Sequence, residues 1–227
     1  MVLPMDNFVW DKDRKSRTGV AEAIFCVNKN LGDLCDIIHF NLKHNTAVLL
    51  TRLAPTLWKS LPAELSQHLD YDEVSQTAML NVDQQTAKQT GVCIVSAGTS
   101  DLAVAKEAQR TLHFNGFEAP IYADLGVAGL WRLLDKIDDI RQHNIIIALA
   151  GMEGALFSVL AGLVSAPVIA VPTSVGYGVS AGGKVALDSA LSSCSPGILT
   201  VNIDNGFGAA NAAIKIMKQF APVKIRS

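Results

Sequence analysis

The chain has 227 residues, 49% of them hydrophobic, and 19 basic against 21 acidic side chains. That is enough apolar material for one large core or two smaller ones. The near-balanced charge offers neither the basic excess that nucleic acid demands nor a polybasic segment for an anionic membrane.

In chain order, the opening MVLPMDNFVWDKDRK reaches its charges too early for a signal peptide. The charged run DKDRKSRTG leads to VAEAIFCV; then LGDLCDIIHFNLKH reads as a helix, AVLLTRL as a strand and TLWKSLPAELSQHL as a helix. Together they describe a small α+β domain over residues 1–85. Residues 71–90 are polar (DEVSQT, NVDQQTAKQT) and read as a connection carrying at most one short strand. From about Gly91 the pattern becomes regular. Five continuously apolar runs, VCIVSAG, APIYAD, NIIIALAG, PVIAVP and GILTVNID, each precede a helix-like run. Strands apolar throughout are covered on both faces, so residues 86–227 are expected to form an α/β domain whose parallel sheet lies between two helix layers, wound like flavodoxin. No charge occurs between Glu153 and Lys184. A membrane span needs about 20 unbroken apolar residues, and Pro167, Pro172, Thr173, Ser174 and Gly176 interrupt this stretch, so a buried helix and strand fit it and no membrane partner is expected.

Short glycine-rich signatures punctuate the α/β region: GTSD (Gly98 to Asp101), DLGVAG (Asp124 to Gly129), AGMEGA (Ala150 to Ala155), PTSVGYG (Pro172 to Gly178), SCSPG (Ser193 to Gly197) and NIDNGFG (Asn202 to Gly208). Most follow a strand and open a helix, which places them at the rim where open α/β sheets bind ligands. Gly98 permits close backbone approach, and Thr99, Ser100 and the first amides of the next helix suit phosphate or carboxylate. Ser100 or Asp101 equally suits a plain helix cap. GTSD is neither GxGxxG nor a Walker loop, so no dinucleotide or P-loop signature supports a dehydrogenase or NTPase. Glu153 at a helix start is favoured by the helix dipole, and is also placed to move a proton or contact a ribose. Asp124 ends the second strand, and Asp204 and Asn205 end the fifth. Gly126, Gly151, Met152, Thr173, Ser174, Gly176 and Tyr177 complete the candidate binding set.

The four cysteines, Cys26, Cys35, Cys93 and Cys194, lie far apart with no CxxC, so neither a disulfide framework nor a thiolate metal site is indicated and a reducing cytosol is expected. Most free cysteines are buried and inert, and Cys26, Cys35 and Cys93 are read that way. Cys194 sits at a helix end stopped by Pro196 and Gly197, among polar neighbours, and is the candidate nucleophile. The five histidines form no HExxH or clustered ligand pattern, so no metal ligands are assigned.

The ordered set GTSDLAVAKEA, DLGVAGLWRLL, AGMEGALFSVLAGLV, PVIAVPTSVGYG, SSCSPG and VNIDNGFGAA resembles the LarB family, pyridinium-3,5-biscarboxylic acid mononucleotide synthases of nickel-pincer nucleotide biosynthesis. WDKDRKSRTG, EAIFC and VLLTRLAP resemble that family's N-terminal domain more weakly. The resemblance implies a PurE-like C-terminal domain, octamers with sites near subunit interfaces, and nicotinic acid adenine dinucleotide as substrate. It implies CO2 addition at C5 of the pyridinium ring and phosphoanhydride cleavage releasing AMP, with Mg2+ assisting through the substrate phosphates. Cys194 is then expected to form a transient cysteinyl-pyridine adduct, with Asp101 or Glu153 as the base. Two other readings remain: a PurE-type aminoimidazole ribonucleotide carboxylase or mutase, and a non-catalytic nucleotide-binding protein. The first should carry a Ser-Ala-His-Arg type motif where this chain has ADLGVAGLWR, without histidine. The basic run Lys12, Arg14, Lys15 and Arg17 raises the expectation that the N-terminal domain helps cover substrate, against the alternative of a solvated charged face.

Overall fold

A computed structural model describes residues 8–82 and 88–220. The chain forms two compact units, Met1–Gln85 and Thr86–Ser227.

In the first unit a four-stranded sheet carries β1 (Ala23–Phe25), β2 (Val48–Thr51), β3 (Leu69–Asp72) and β4 (Thr77–Leu80) in the order β1-β2-β4-β3. β1 runs parallel to β2, which requires a crossover, and α2 (Leu31–Lys43) supplies it, after the short α1 (Arg14–Thr18). Asn30 starts α2 by accepting the Asp33 N–H at 2.8 Å. Leu34, Ile37 and Ile38 from α2 pack onto Val48, Leu50, Ala78 and Leu80 of the sheet. The expected single helix TLWKSLPAELSQHL is two, α3 (Pro55–Lys59) and α4 (Ala63–Ser66), because Pro62 lacks the N–H a continuing helix would need. The stretch read as a connection also differs. Residues 69–80 form a hairpin, and TAML is β4, fully buried between β2 and β3. Within the basic run, Arg17 donates to both Asp11 carboxylate oxygens, at 3.1 and 2.5 Å.

The second unit alternates β5 (Val92–Ser96), α5 (Leu102–Phe114), β6 (Ile121–Tyr122), α6 (Leu130–Ile140), β7 (Ile145–Ala150), α7 (Ala155–Leu163), β8 (Val168–Pro172), α8 (Lys184–Ser192), β9 (Ile198–Thr200) and α9 (Gly206–Met217). All strands are parallel, in the order β6-β5-β7-β8-β9. That is the flavodoxin-like winding expected from the continuously apolar strands. Every residue of β5, β7 and β8 is buried, and each large aliphatic side chain so placed contributes about 1.5–3 kcal/mol. Cys93, Val95, Ile146, Ala148, Val168 and Ala170 face Leu133 and Ile137 of α6, Phe157 and Leu160 of α7, and Ala186 and Ala190 of α8. On the other side α5 and α9 pack together where Gly206 meets the α5 backbone at Val104 and Ala108. Among the described residues no helix is long and apolar enough to cross a membrane.

This winding determines where a ligand can enter. From β5 the chain steps one way to β6, then returns past β5 to β7. Above the carboxyl ends of β5 and β7 the outgoing loops therefore diverge and leave a crevice.

Candidate functional site

A cleft of about 310 Å³ occupies that crevice. The loop after β5 lines it with Ala97, Gly98, Ser100 and Asp101, and the loop after β6 with Gly126, Val127 and Ala128. The loop after β7 contributes Gly151, Met152 and Glu153 and continues into Ala155 and Leu156 of α7, and Val175 closes the wall from beyond β8. The backbone is forced into tight shapes here. Asp124, Met152 and Asp204 have φ of 61°, 49° and 55°, each just past the end of β6, β7 or β9. Non-glycine residues in this region are uncommon and gather where function holds them. Gly126 is required by close packing: a Cβ would come within 2.8 Å of the Ala97 carbonyl oxygen. At Gly151 a Cβ would lie 2.8 Å from the Val175 Cβ and 2.9 Å from the Thr173 hydroxyl.

Asp101 is the buried polar centre, only 2% exposed. One carboxylate oxygen accepts the Gly98 N–H at 2.8 Å, and the other accepts the Thr173 hydroxyl at 2.6 Å across 72 residues. Burial pushes its pKa up. The Thr173 and Gly98 bonds oppose that shift, and the nearby Asp204 charge adds to it. Asp101 makes no side-chain cap bond to α5; its carboxylate instead reaches back to Gly98, closing the turn that leads into the helix, and ties the β5 and β8 loops together. Asp204 extends the brace by accepting the Ser174 N–H at 2.8 Å, while Asn205 caps α9 by accepting the Gly208 N–H at 2.8 Å.

Seven of the candidate residues line the cleft together: Gly98, Ser100, Asp101, Gly126, Gly151, Met152 and Glu153. Glu153 is exposed at its lip. The others stand behind or beside it. Thr173 is fully buried beneath the rim, Thr99 is exposed at the start of the turn into α5, and Tyr177 projects from the loop after β8, 77% exposed. Ser174 and Gly176 belong to that same loop. Asp124 pairs with Arg132 of α6 at 2.6 Å. Sequence reasoning missed the apolar part of the lining, Val127, Leu156 and Val175. Nothing in their residue types marks them, since each also reads as ordinary core.

Of the four cysteines, Cys194 alone is exposed. Burial pushes Cys26 and Cys93 up to about 12 and raises Cys35, so these three are held as neutral thiols. Cys194 does not line the cleft with the strand-to-helix loops. It lies in the α8-to-β9 connection, the helix-to-strand side of the repeat. Both of its neighbours bond to Ser158 of α7: the Ser193 and Ser158 hydroxyls lie 2.7 Å apart, and the Ser195 hydroxyl donates to the Ser158 carbonyl at 2.9 Å. Ser158 is three residues past Ala155, which lines the cleft, or about 4.5 Å along the helix axis. Ser158 of α7 is thus what ties the cysteine turn to the helix that leaves the cleft. Among the described residues no three His, Cys, Asp or Glu side chains gather as a metal site.

Two family models match the chain: LarB/PurE-like N-terminal domain over residues 5–83 and AIR carboxylase over residues 91–224. An uncharacterised protein of Methanocaldococcus jannaschii is 38% identical over 215 residues, covering 92% of this chain and 83% of its own. The N5-carboxyaminoimidazole ribonucleotide mutase of the same organism is 34% identical over 133 residues, covering 56% of this chain and 78% of its own. A crystal structure of a single-residue variant of PurE2 from Treponema denticola aligns at 20% identity and a TM-score of 0.47, over 58% of this chain and 82% of that one; the fold itself stands on the strand order above. The two models follow one another along the chain in the order of the two compact units, and the 38% identical relative spans nearly the whole of it. The chain therefore belongs to the LarB family, with a LarB/PurE-like N-terminal domain followed by a PurE-like AIR carboxylase domain.

Proposed function

We propose that this chain is a carboxylase/hydrolase that adds CO2 to C5 of the pyridinium ring of nicotinic acid adenine dinucleotide and cleaves the phosphoanhydride, giving pyridinium-3,5-biscarboxylic acid mononucleotide and AMP. The observation that carries the reading is an acid-lipped cleft at the carboxyl ends of β5 and β7 in a chain of this family whose one exposed cysteine is Cys194.

A pyridinium ring is electron-poor and does not attack CO2. When the Cys194 thiolate adds at C4, the ring becomes a dihydropyridine whose N1–C6=C5 unit is an enamine, and C5 is now nucleophilic. C5 attacks the CO2 carbon, a base takes the C5 proton, and the thiolate leaves from C4 as aromaticity returns. Sulfur suits both roles, because a thiolate attacks and departs readily. By residue type Asp101 and Glu153 are equal candidates for the base, and geometry favours Glu153. Both Asp101 oxygens already accept hydrogen bonds in a buried position, whereas Glu153 is exposed at the lip. Asp101 serves better as the brace that fixes the rim. Rim amides after β5 and in the loop after β8 are the donors for phosphate and carboxylate oxygens. The described residues do not form a resident metal cage, so Mg2+ belongs to this reading only as a companion of the substrate phosphates. Assembly into octamers is part of the same proposal, and native mass spectrometry of the purified protein reads it directly.

The second reading is a mutase or carboxylase acting on an aminoimidazole ribonucleotide, favoured by the 34% identity to the M. jannaschii mutase. Against it stand the LarB-type N-terminal domain and the absence of histidine between Ala123 and Arg132. Incubating the protein with nicotinic acid adenine dinucleotide, Mg2+ and bicarbonate, followed by mass spectrometry, separates the two. AMP together with a mononucleotide heavier by one carboxylate is expected, and Cys194→Ala should bind the dinucleotide yet form neither. Absence of both products from the wild-type protein, with turnover of N5-carboxyaminoimidazole ribonucleotide instead, would establish the second reading.

A further inference from the structure

An exposed helix-to-strand turn is a poor place from which to aim a nucleophile. Its residues lack the repeating backbone bonds of helix or sheet, and such segments open at little cost. The Cys194 turn is held differently. Ser193 Oγ accepts the Ser195 N–H at 3.1 Å, closing a small loop around the cysteine, and the same oxygen lies 2.7 Å from Ser158 Oγ. Ser195 Oγ donates to the Ser158 carbonyl at 2.9 Å. Farther along, the Gly197 carbonyl accepts the Val168 N–H at 3.0 Å where β8 begins. The residues on either side of the thiol are therefore fastened to one residue of α7, through its hydroxyl and through its carbonyl.

Resting on the carboxylase/hydrolase reading, we infer that Ser158 is a positioning residue, holding the Cys194 thiol at a set distance from Glu153 by anchoring the cysteine turn to α7. Glu153 lies two residues before α7 begins and Ser158 lies in its second turn. One rigid element thus carries the acid at its entrance and the anchor of the nucleophile a turn and a half later. The proposed chemistry needs this. The thiolate must meet C4 while the base meets the proton on the adjacent carbon, and displacements of about half an ångström in such an arrangement are costly. Helix propensity does not explain a serine here, since alanine would favour the helix more. A purely structural role in α7 therefore predicts that Ser158→Ala is harmless.

The full-length protein is tested as Ser158→Ala, Ser158→Thr and Ser195→Ala, with three readouts. Amide hydrogen exchange over residues 193–197 reports the hold itself. The expected result is about tenfold faster exchange at the Ser195 amide in Ser158→Ala and Ser195→Ala, the loss of one hydrogen bond worth of protection. Steady-state kinetics should show kcat lowered about tenfold with KM within about twofold of wild type, the pattern of a contact that matters in the transition state. Alkylation of Cys194 by iodoacetamide should stay within about twofold, because the thiol is already exposed and its chemistry is untouched. Ser158→Thr restores the hydroxyl, so it should bring both exchange and kcat back. Unchanged exchange in both alanine variants, unchanged kcat, or failure of Ser158→Thr to restore what Ser158→Ala loses would each overturn the inference. Wild-type protein that forms no carboxylated product while the turn still loosens in Ser158→Ala would identify the carboxylase/hydrolase reading as the part in error, and the positioning role would fall with it.

Discussion

The brace at Asp101 makes a quantitative prediction, because removing its charge and removing its hydrogen bonds have opposite effects. Asp101→Ala strands two partners. The Thr173 hydroxyl is fully buried and water does not reach it, so losing its acceptor costs about 1–3 kcal/mol; the Gly98 N–H is half-buried and costs about 1 kcal/mol. Relief of the buried charge offsets part of this, leaving a net loss of about 2 kcal/mol. Asp101→Asn keeps an acceptor for Gly98 and presents an amide that can donate to the Thr173 oxygen, and it removes the charge that burial disfavours. It should be neutral to mildly stabilising at about pH 7. A two-domain chain does not yield one unfolding free energy, so the assay reads the domain from inside. Cys93 is 0% exposed on β5, directly before the Asp101 loop, while Cys194 on the same unit is exposed and serves as the fast control. Native-state thiol labelling followed by peptide mass spectrometry should find Cys93 modified about 30-fold faster in Asp101→Ala, the equivalent of about 2 kcal/mol, and at or below the wild-type rate in Asp101→Asn. The pH dependence has a definite sign. With its folded pKa raised, the wild-type carboxyl keeps its proton where the unfolded chain has lost it, so wild-type stability falls as pH rises from the ordinary carboxylate value of 3.8 through the folded value. The advantage of Asp101→Asn should therefore shrink from about pH 7 toward about pH 4. Equal acceleration in the Ala and Asn variants would refute the reasoning, because it would make the negative charge, and not the pair of hydrogen bonds, what holds the rim.

Other sites give sharper or simpler contrasts. Glu153→Gln should change stability by less than about 0.5 kcal/mol, as an exposed lip residue, yet lower kcat by about 10²–10⁴ with KM within a few-fold if it moves the C5 proton; steady-state product formation decides, and an unchanged kcat removes it as the base. Gly126→Ala drives a Cβ against the Ala97 carbonyl oxygen, a clash that must displace the β6 loop by several tenths of an ångström; substrate affinity by isothermal calorimetry should fall, and an unaltered affinity would detach that loop from binding. Cys93 carries an alkaline liability. Its folded pKa is pushed up to about 12 from an ordinary 9.0, so between those values the unfolded chain loses a proton that the folded chain keeps, and stability falls by about 1.4 kcal/mol per pH unit. Denaturant midpoints of wild type and Cys93→Ala from about pH 8 to about pH 11 should diverge in slope, and parallel slopes would show that burial of this thiol is not linked to folding.

What is legible in the sequence and what is not divides along the range of the interactions. The α/β order, the parallel sheet and the limits of α5 follow from local pattern, because strands covered on both faces are apolar at every position. The sheet edges are shorter than their apolar runs. APIYAD yields the two residues of β6, and GILTVNID the three of β9, since an edge strand has a neighbour on one side only to extend its ladder. TAML reads as part of a connection because polar residues flank it; its place as β4 comes from pairing with Val48–Leu50, some thirty residues away, which no local period records. The candidate site divides in the same way. GTSD announces a helix start, and the Asp101–Gly98 bond is local to that turn though it does not cap α5; the second Asp101 bond reaches Thr173 across 72 residues.

Around the site, the bonds that sequence does not reveal tie connecting segments to distant partners: Asp101 to Thr173 and Asp204 to Ser174 between strand-to-helix loops, and Ser193 and Ser195 of the α8-to-β9 turn to Ser158 of α7. Each fastens a connecting segment that the sheet positions but does not itself orient. A parallel sheet fixes where loops begin to within its strand spacing of about 4.8 Å, which is too coarse for the proposed reaction, in which a thiolate, a proton acceptor and CO2 must be placed around adjacent ring carbons. Polar side chains supply the finer adjustment, at short range and with strong directionality. The residues to which the proposed reaction assigns chemistry, Glu153 and Cys194, are exposed and individually replaceable without much cost to folding, whereas Asp101 and Thr173 are buried and expensive to disturb. Substitutions at the first pair should therefore abolish turnover in a well-folded protein, and those at the second should loosen the rim before they touch the chemistry.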